Sequence, residues 1–206
     1  MELRRALLRP DDYFATHTPS WTGAVGVVAA SAAGIAFVTF VSALLLGFVF
    51  TDIGAAVSAG RMNGIALTAS FAAFLVTFIL WVLVASALHL VVMVTNQGRA
   101  DTLEETFGVA AWGFPPTVVT TTIAFAVVLG ALLVDSNATT GQTLVALQNP
   151  VLGSGGVIVI GLDVVAACWQ TYVWGYGLHG RHNSPFRGAL VGSFVVAFTL
   201  VALSMV

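Results

Sequence analysis

The chain has 206 residues, 58% of them hydrophobic and 8% charged, with a formal net charge of -2. A water-soluble domain carries about 25% charged residues, so this chain lacks the polar surface to cover a soluble particle. The small net charge and the absence of a basic stripe exclude nucleic-acid binding and imply no strongly acidic or basic partner.

A hydrocarbon core of roughly 30 Å needs about 20 helical residues without charge. Five runs meet that length: Trp21 to Phe50, Asn63 to Val94, Thr117 to Val134, Val157 to Leu178 and Phe186 to Val206. A membrane barrel would instead alternate apolar and polar residues in segments of about ten. These runs are apolar all round, so the predicted fold is all-α, a single polytopic bundle over residues 1–206. Charged and polar residues continue up to Ser20, so no cleaved secretory signal is expected.

Ahead of the first span, Leu3, Leu7 and Leu8 share one helical face while Arg4, Arg5 and Arg9 project elsewhere, the pattern of a short helix in the headgroup layer. Pro10 then opens a second short helix with Asp11 and Asp12 near its positive end. Residues 1–19 are therefore expected to form an interfacial segment, with Tyr13 and Phe14 dipping into the interface. The alternative is a frayed, solvated tail. Trp21 begins the first span, where interfacial aromatics collect.

Between spans two and three, Thr102 followed by Glu105 matches a capping box that starts a helix at Leu103, and Pro115 and Pro116 end it and open span three. The expectation is an interfacial helix from Leu103 to Phe114. Its Leu103, Phe107, Val109, Ala110 and Phe114 would face lipid or protein, with Arg99, Asp101, Glu104 and Glu105 in water. In the following outer loop, Asn137-Ala138-Thr139 is a glycosylation sequon.

Polar groups inside the membrane are costly and direct attention to function. Asp163 is the one carboxylate well within a span, about 9 Å below its outer end at about 1.5 Å per residue. Its functional reading is a proton or cation site. Its structural reading is a hydrogen bond to Thr120, Thr121 or Thr122 of span three. His89, near the inner end of span two, is explained by hydrogen bonding and packing beside Trp174, Tyr172 and Tyr176. It lies about 15 Å in depth from Asp163, too far for a direct pair. Gln170 reads as glue between helices. Cys168, alone, forms no internal disulfide and reads as a small packing residue.

Arginine placement sets the orientation, because Lys and Arg in short loops prefer the cytoplasmic face. The chain has seven arginines and no lysine. Arg4, Arg5, Arg9, Arg99, Arg181 and Arg187 fall on the side of the N-terminus, against Arg61 on the other. The N-terminus is expected inside and the C-terminus outside, with those six arginines as the cytoplasmic interface.

Catalytic constellations fail. Ser154 lies on the outer side and His179 and His182 on the inner, so no nucleophile and base share a depth. The two histidines lack nearby Cys, Asp or Glu ligands for zinc. Gly153-Ser154-Gly155-Gly156 has no following lysine to cradle a phosphate. No catalytic residue, metal or cofactor is expected.

Three stretches carry a family resemblance. Leu7-Leu8-Arg9-Pro10-Asp11-Asp12-Tyr13-Phe14 precedes span one. Trp81 through Ala87-Leu88-His89-Leu90 leads across the polar elbow to Trp112-Gly113-Phe114-Pro115-Pro116. Trp169-Gln170-Thr171-Tyr172-Val173-Trp174-Gly175-Tyr176-Gly177-Leu178 is followed by Arg187-Gly188-Ala189. In order and spacing the chain resembles the Yip family, five-span membrane proteins whose eukaryotic members interact with Rab GTPases. The resemblance implies a five-helix bundle with a cytoplasmic N-terminus and no catalysis. The long cytosolic region credited with much GTPase binding has no counterpart here, which points to a prokaryotic member and weighs against small-GTPase binding.

Gly23, Gly26, Gly153, Gly156, Gly161, Gly188 and Gly192 are small residues that let helices approach, and Gly188-x-x-x-Gly192 suits either internal packing or self-association. Spans two with three and four with five also read as two similar hairpins. The leading functional reading is a non-enzymatic membrane organiser or scaffold that binds lipid, other membrane proteins or a second copy. The alternative is a small ion-coupled transporter or channel using Asp163.

Overall fold

A computed structural model describes residues 2–52, 59–96, 102–134 and 154–204. Arg99, Asp101, Asn137 and Gly153 lie outside the described residues. Eight helices and no strand occur among those described: α1 (Glu2–Leu8), α2 (Pro10–Thr16), α3 (Trp21–Asp52), α4 (Ala59–Thr95), α5 (Leu103–Ala111), α6 (Phe114–Val134), α7 (Ser154–His182) and α8 (Phe186–Ser204). Taking α5 and α6 as one bent unit, five helices are long and apolar enough to cross a membrane. Helices suit such a chain because each satisfies its own backbone amides where no water is present.

The long helices close a ring in the order α3, α4, α8, α7, α6 and back to α3. Contacts within the ring are made by small residues, Ala24, Ala32, Ala85, Ala167, Ala189 and Ala197 among them, all buried. Apolar surface outside a membrane bundle costs nothing, so association rests on close packing. Accordingly Phe37, Phe71, Leu90, Val94 and Val191 remain exposed on the outer faces.

The Gly188 and Gly192 face of α8 lies against Thr95 and Val91 of α4, where an added methyl group would overlap either partner. That spacing is spent on packing within the bundle. Gly26 and Gly161 have open space where a side chain would project, so they are not helix contacts after all. The two-hairpin repeat is also corrected. α4 and α6, consecutive spans, do not form a principal contact, because α5 packs against α3, α4 and α7 and stands between them.

Local signals set the helix ends. The Ser20 hydroxyl accepts a hydrogen bond from the Gly23 N–H at 3.1 Å and so caps α3. Asn183 adopts the left-handed conformation (φ 49°) that ends α7. His179 Nδ1–H then donates to the Ser184 carbonyl at 2.8 Å, closing the turn into α8.

The connecting segments pack against the bundle. The N-terminal helices pack on the bundle: α2 lies against α7, with Phe14 and Ala6 fully buried and Tyr13 8% exposed. The Trp169 indole N–H donates to the Leu7 carbonyl and the Tyr172 hydroxyl to the Leu8 carbonyl, both at 3.1 Å, so α7 ties down the end of α1. The α5 helix turns its apolar face to protein, with Thr106 to Ala111 all buried. Thr102 makes no side-chain cap to it, and Glu105 is drawn away to an arginine on α7, so the capping box does not form.

Candidate functional site

The first turn of α5 presents Glu105 and Thr106 in succession, and the last turn of α7 presents Arg181 and His182. Glu105 meets Arg181 and Thr106 meets His182, so the pairs meet in matched order. Arg181 Nη2 donates to Glu105 Oε1. Thr106 Oγ1 lies 3.2 Å from His182 Nε2 and 3.2 Å from His89 Nδ1 of α4. His182 Nδ1 stands 4.0 Å from Glu105 Oε2. The Asn96 amide donates to the His182 carbonyl at 2.9 Å.

One hydroxyl has one proton, so Thr106 donates to one imidazole and accepts from the other. If Thr106 donates to His182 Nε2, then His182 carries its proton on Nδ1, toward the carboxylate, and His89 Nδ1–H donates to Thr106. Glu105, His182 and Thr106 stand in the order of an acid, base and nucleophile, but the 4.0 Å between His182 Nδ1 and Glu105 Oε2 is beyond hydrogen-bond reach. Thr106 is fully buried and is shared with a second imidazole, an arrangement that joins α4, α5 and α7. Thr106→Val keeps the shape but leaves both ring nitrogens facing a methyl group. It is expected to cost about 1–3 kcal/mol, with Thr106→Ser close to wild type, measured as unfolding midpoints in detergent.

A second polar layer lies at the bend between α5 and α6. Pro115 and Pro116 contribute no N–H, so carbonyls at this junction run short of helical donors. Side chains add further donors on either side of them. Gln170 Nε2 donates to the Gly113 carbonyl at 3.2 Å and to Thr117 Oγ1 at 3.0 Å. The Trp174 indole N–H donates to the Ala110 carbonyl and that of Trp81 to the Phe107 carbonyl, each at 3.1 Å. Gly113 lies flat against the Trp174 ring, leaving no room for a side chain. His89 is thus held by Thr106, and Trp174 serves the bend rather than the imidazole.

A bent third span, clamped by a glutamine and a tryptophan one turn apart on the fourth helix, is the feature around which the N-terminal helices and the ring are built. The family model for the Yip1 domain matches residues 4–206. The chain belongs to the Yip family. No curated protein and no solved structure matches it. The Yip1 domain here includes all five apolar helices together with α1 from Arg4 onward, α2 and α5, making a multi-pass integral membrane protein.

The remaining candidate residues of this Yip1 domain occupy separate places. Asp163 is partly buried on α7 and has neither a hydrogen bond nor an ion pair among the described residues. The expected threonine partners are engaged locally, Thr120 with the Pro116 and Thr117 carbonyls and Thr122 with that of Val118. Asp163 therefore joins neither polar layer. Cys168 is exposed rather than packed. Arg4, Arg5, Arg9 and Arg187 are exposed, whereas Arg181 is spent on Glu105. Among the described residues no group of three His, Cys, Asp or Glu side chains is placed to hold a metal ion. Sequence reasoning missed Glu105, Thr106, Arg181 and His182 as one cluster. Their partners lie up to 76 positions apart, beyond any local spacing signal.

Proposed function

We propose that this Yip1-domain protein is a non-enzymatic membrane organiser. It binds membrane lipid and membrane-protein partners through the arginine-bearing end of its bundle. The observation that carries the reading is the contrast among arginines at that end. Arg4, Arg5, Arg9 and Arg187 are exposed and, among the described residues, paired with no carboxylate, while the rest of the polar machinery is turned inward to hold helices together. Free guanidinium groups beside apolar helices suit anionic headgroups and acidic partner segments. In this reading the arginine-bearing end is cytoplasmic and the C-terminus lies outside. Recruitment of small GTPases is not part of it.

The test is purification from native membrane into lipid discs, followed by native mass spectrometry and crosslinking. Retained lipid or a specific partner, lost when Arg4, Arg5, Arg9 and Arg187 are all changed to Gln, supports the reading. Clean monomer carrying neither overturns it, as does solute flux in liposomes that Asp163→Asn abolishes, which would make the protein a transporter. Reporter fusions placing both termini on one side would overturn the orientation.

A further inference from the structure

The corner where α1 turns into α2 forms an open cleft of about 370 Å³ lined by Arg5, Arg9, Asp12, Tyr13, Thr16 and His17. That volume falls in the range of small-ligand sites, roughly 300–1,000 Å³. We infer that this cleft binds the phosphate of a membrane lipid whose headgroup carries a single phosphodiester. The inference rests on the lipid-binding reading above and names the site and the headgroup class.

The corner is built rather than frayed. Arg9 N–H donates to the Arg5 carbonyl at 2.8 Å, which carries the helical register to the corner and sets the two guanidinium groups one turn apart. Neither side chain has a hydrogen bond or ion pair among the described residues. Opposite them, the His17 ring stacks on Tyr13 with centroids 4.9 Å apart and planes within 7°. Its Nδ1 is held 2.8 Å from Thr16 Oγ1. This leaves Nε2 as the ring atom not engaged. Tyr13 itself is anchored by edge contacts to Phe14 and Trp112, at 5.1 and 5.4 Å.

Paired guanidinium forks match phosphate oxygens in a bidentate way and are more weakly hydrated than ammonium, so they give up water at low cost. Asp12 on the same wall sets the charge. Two guanidinium groups against one carboxylate leave a single net positive charge, which one phosphodiester neutralises. Leu8, between the two arginines, is 53% exposed, and Trp169 and Tyr172 of α7 hold the backbone beside it. An exposed aliphatic side chain next to arginines and interfacial aromatics marks a lipid boundary, which favours a lipid over a soluble phosphate ester.

The full chain is placed in discs of phosphatidylcholine with or without phosphatidylglycerol, and lipid retention and thermal midpoint are measured. Wild type is expected to retain phosphatidylglycerol and to melt higher with it. The pair R5Q and R9Q, on exposed side chains, should weaken retention by about tenfold or more. The pair R4Q and R187Q, which belongs to the same lipid-binding end but lies outside the cleft, should weaken it several-fold less than the cleft pair does, and D12N should strengthen it. Equal loss in both arginine pairs overturns the cleft while leaving the broader lipid reading intact. Wild type that does not distinguish the two disc compositions overturns both. Glycerol phosphate stabilising the protein in plain phosphatidylcholine as strongly as the lipid does would make the ligand a soluble ester and overturn the lipid assignment.

Discussion

Trp174→Ala is expected to destabilise the bundle by about 3–5 kcal/mol, the range for a buried aromatic removed from a close-packed site. Trp174 is fully buried and its ring covers Gly113. Its N–H serves the Ala110 carbonyl at the bend, where no water is at hand to replace it. The partner substitution separates this account from simple loss of bulk. Gly113→Ala forces a methyl group into the indole ring and is expected to cost about 1–3 kcal/mol in the wild-type background. With Trp174 already removed the overlap vanishes, so the second change should then be nearly free. Reversible unfolding of the four proteins in mixed micelles measures the coupling. Additive effects would show that the ring and the glycine act independently.

Arg181→Ala and Glu105→Ala are expected to cost about 2–3 kcal/mol each, because either one strands a partly buried charge without its partner. The Arg181 and Glu105 side chains are 26% and 15% exposed, too enclosed for water to compensate fully. Replacing both at once, Glu105→Leu with Arg181→Met, removes the desolvation penalty together with the attraction. The double variant is expected within about 1 kcal/mol of wild type. Unfolding midpoints at low and high salt check this, since an exposed pair would weaken strongly with salt and an enclosed one only slightly. Equal costs for single and double variants would place the contribution outside the ion pair.

The spans were legible because a long charge-free apolar run has few other folds available to it. The arginine asymmetry was equally plain. The position of α5 was not, since a face such as Leu103, Phe107 and Phe114 reads the same whether it meets lipid, a headgroup layer or protein. A signal did exist in Gly108-Val109-Ala110-Ala111, a stretch with no polar side and no bulk on its small positions. A helix resting on water would have a polar face there. Gln170 was readable as a polar group needing an interhelical partner, and Gly113 and Thr117 supply it. Which carbonyl it would meet was not, because that depends on α7 lying alongside the bend. The buried chain from His89 through Thr106 to His182 joins three helices at sequence separations of 17 and 76. Only the folded topology brings such groups together.

The bend in the third span also constrains the order of assembly. As the chain emerges from the ribosome, Gly113 and Ala110 enter the bilayer before Gln170 and Trp174 have been made, so the bend waits without the donors that complete it. An intermediate holding only the first three spans therefore lacks these contacts until the fourth span arrives.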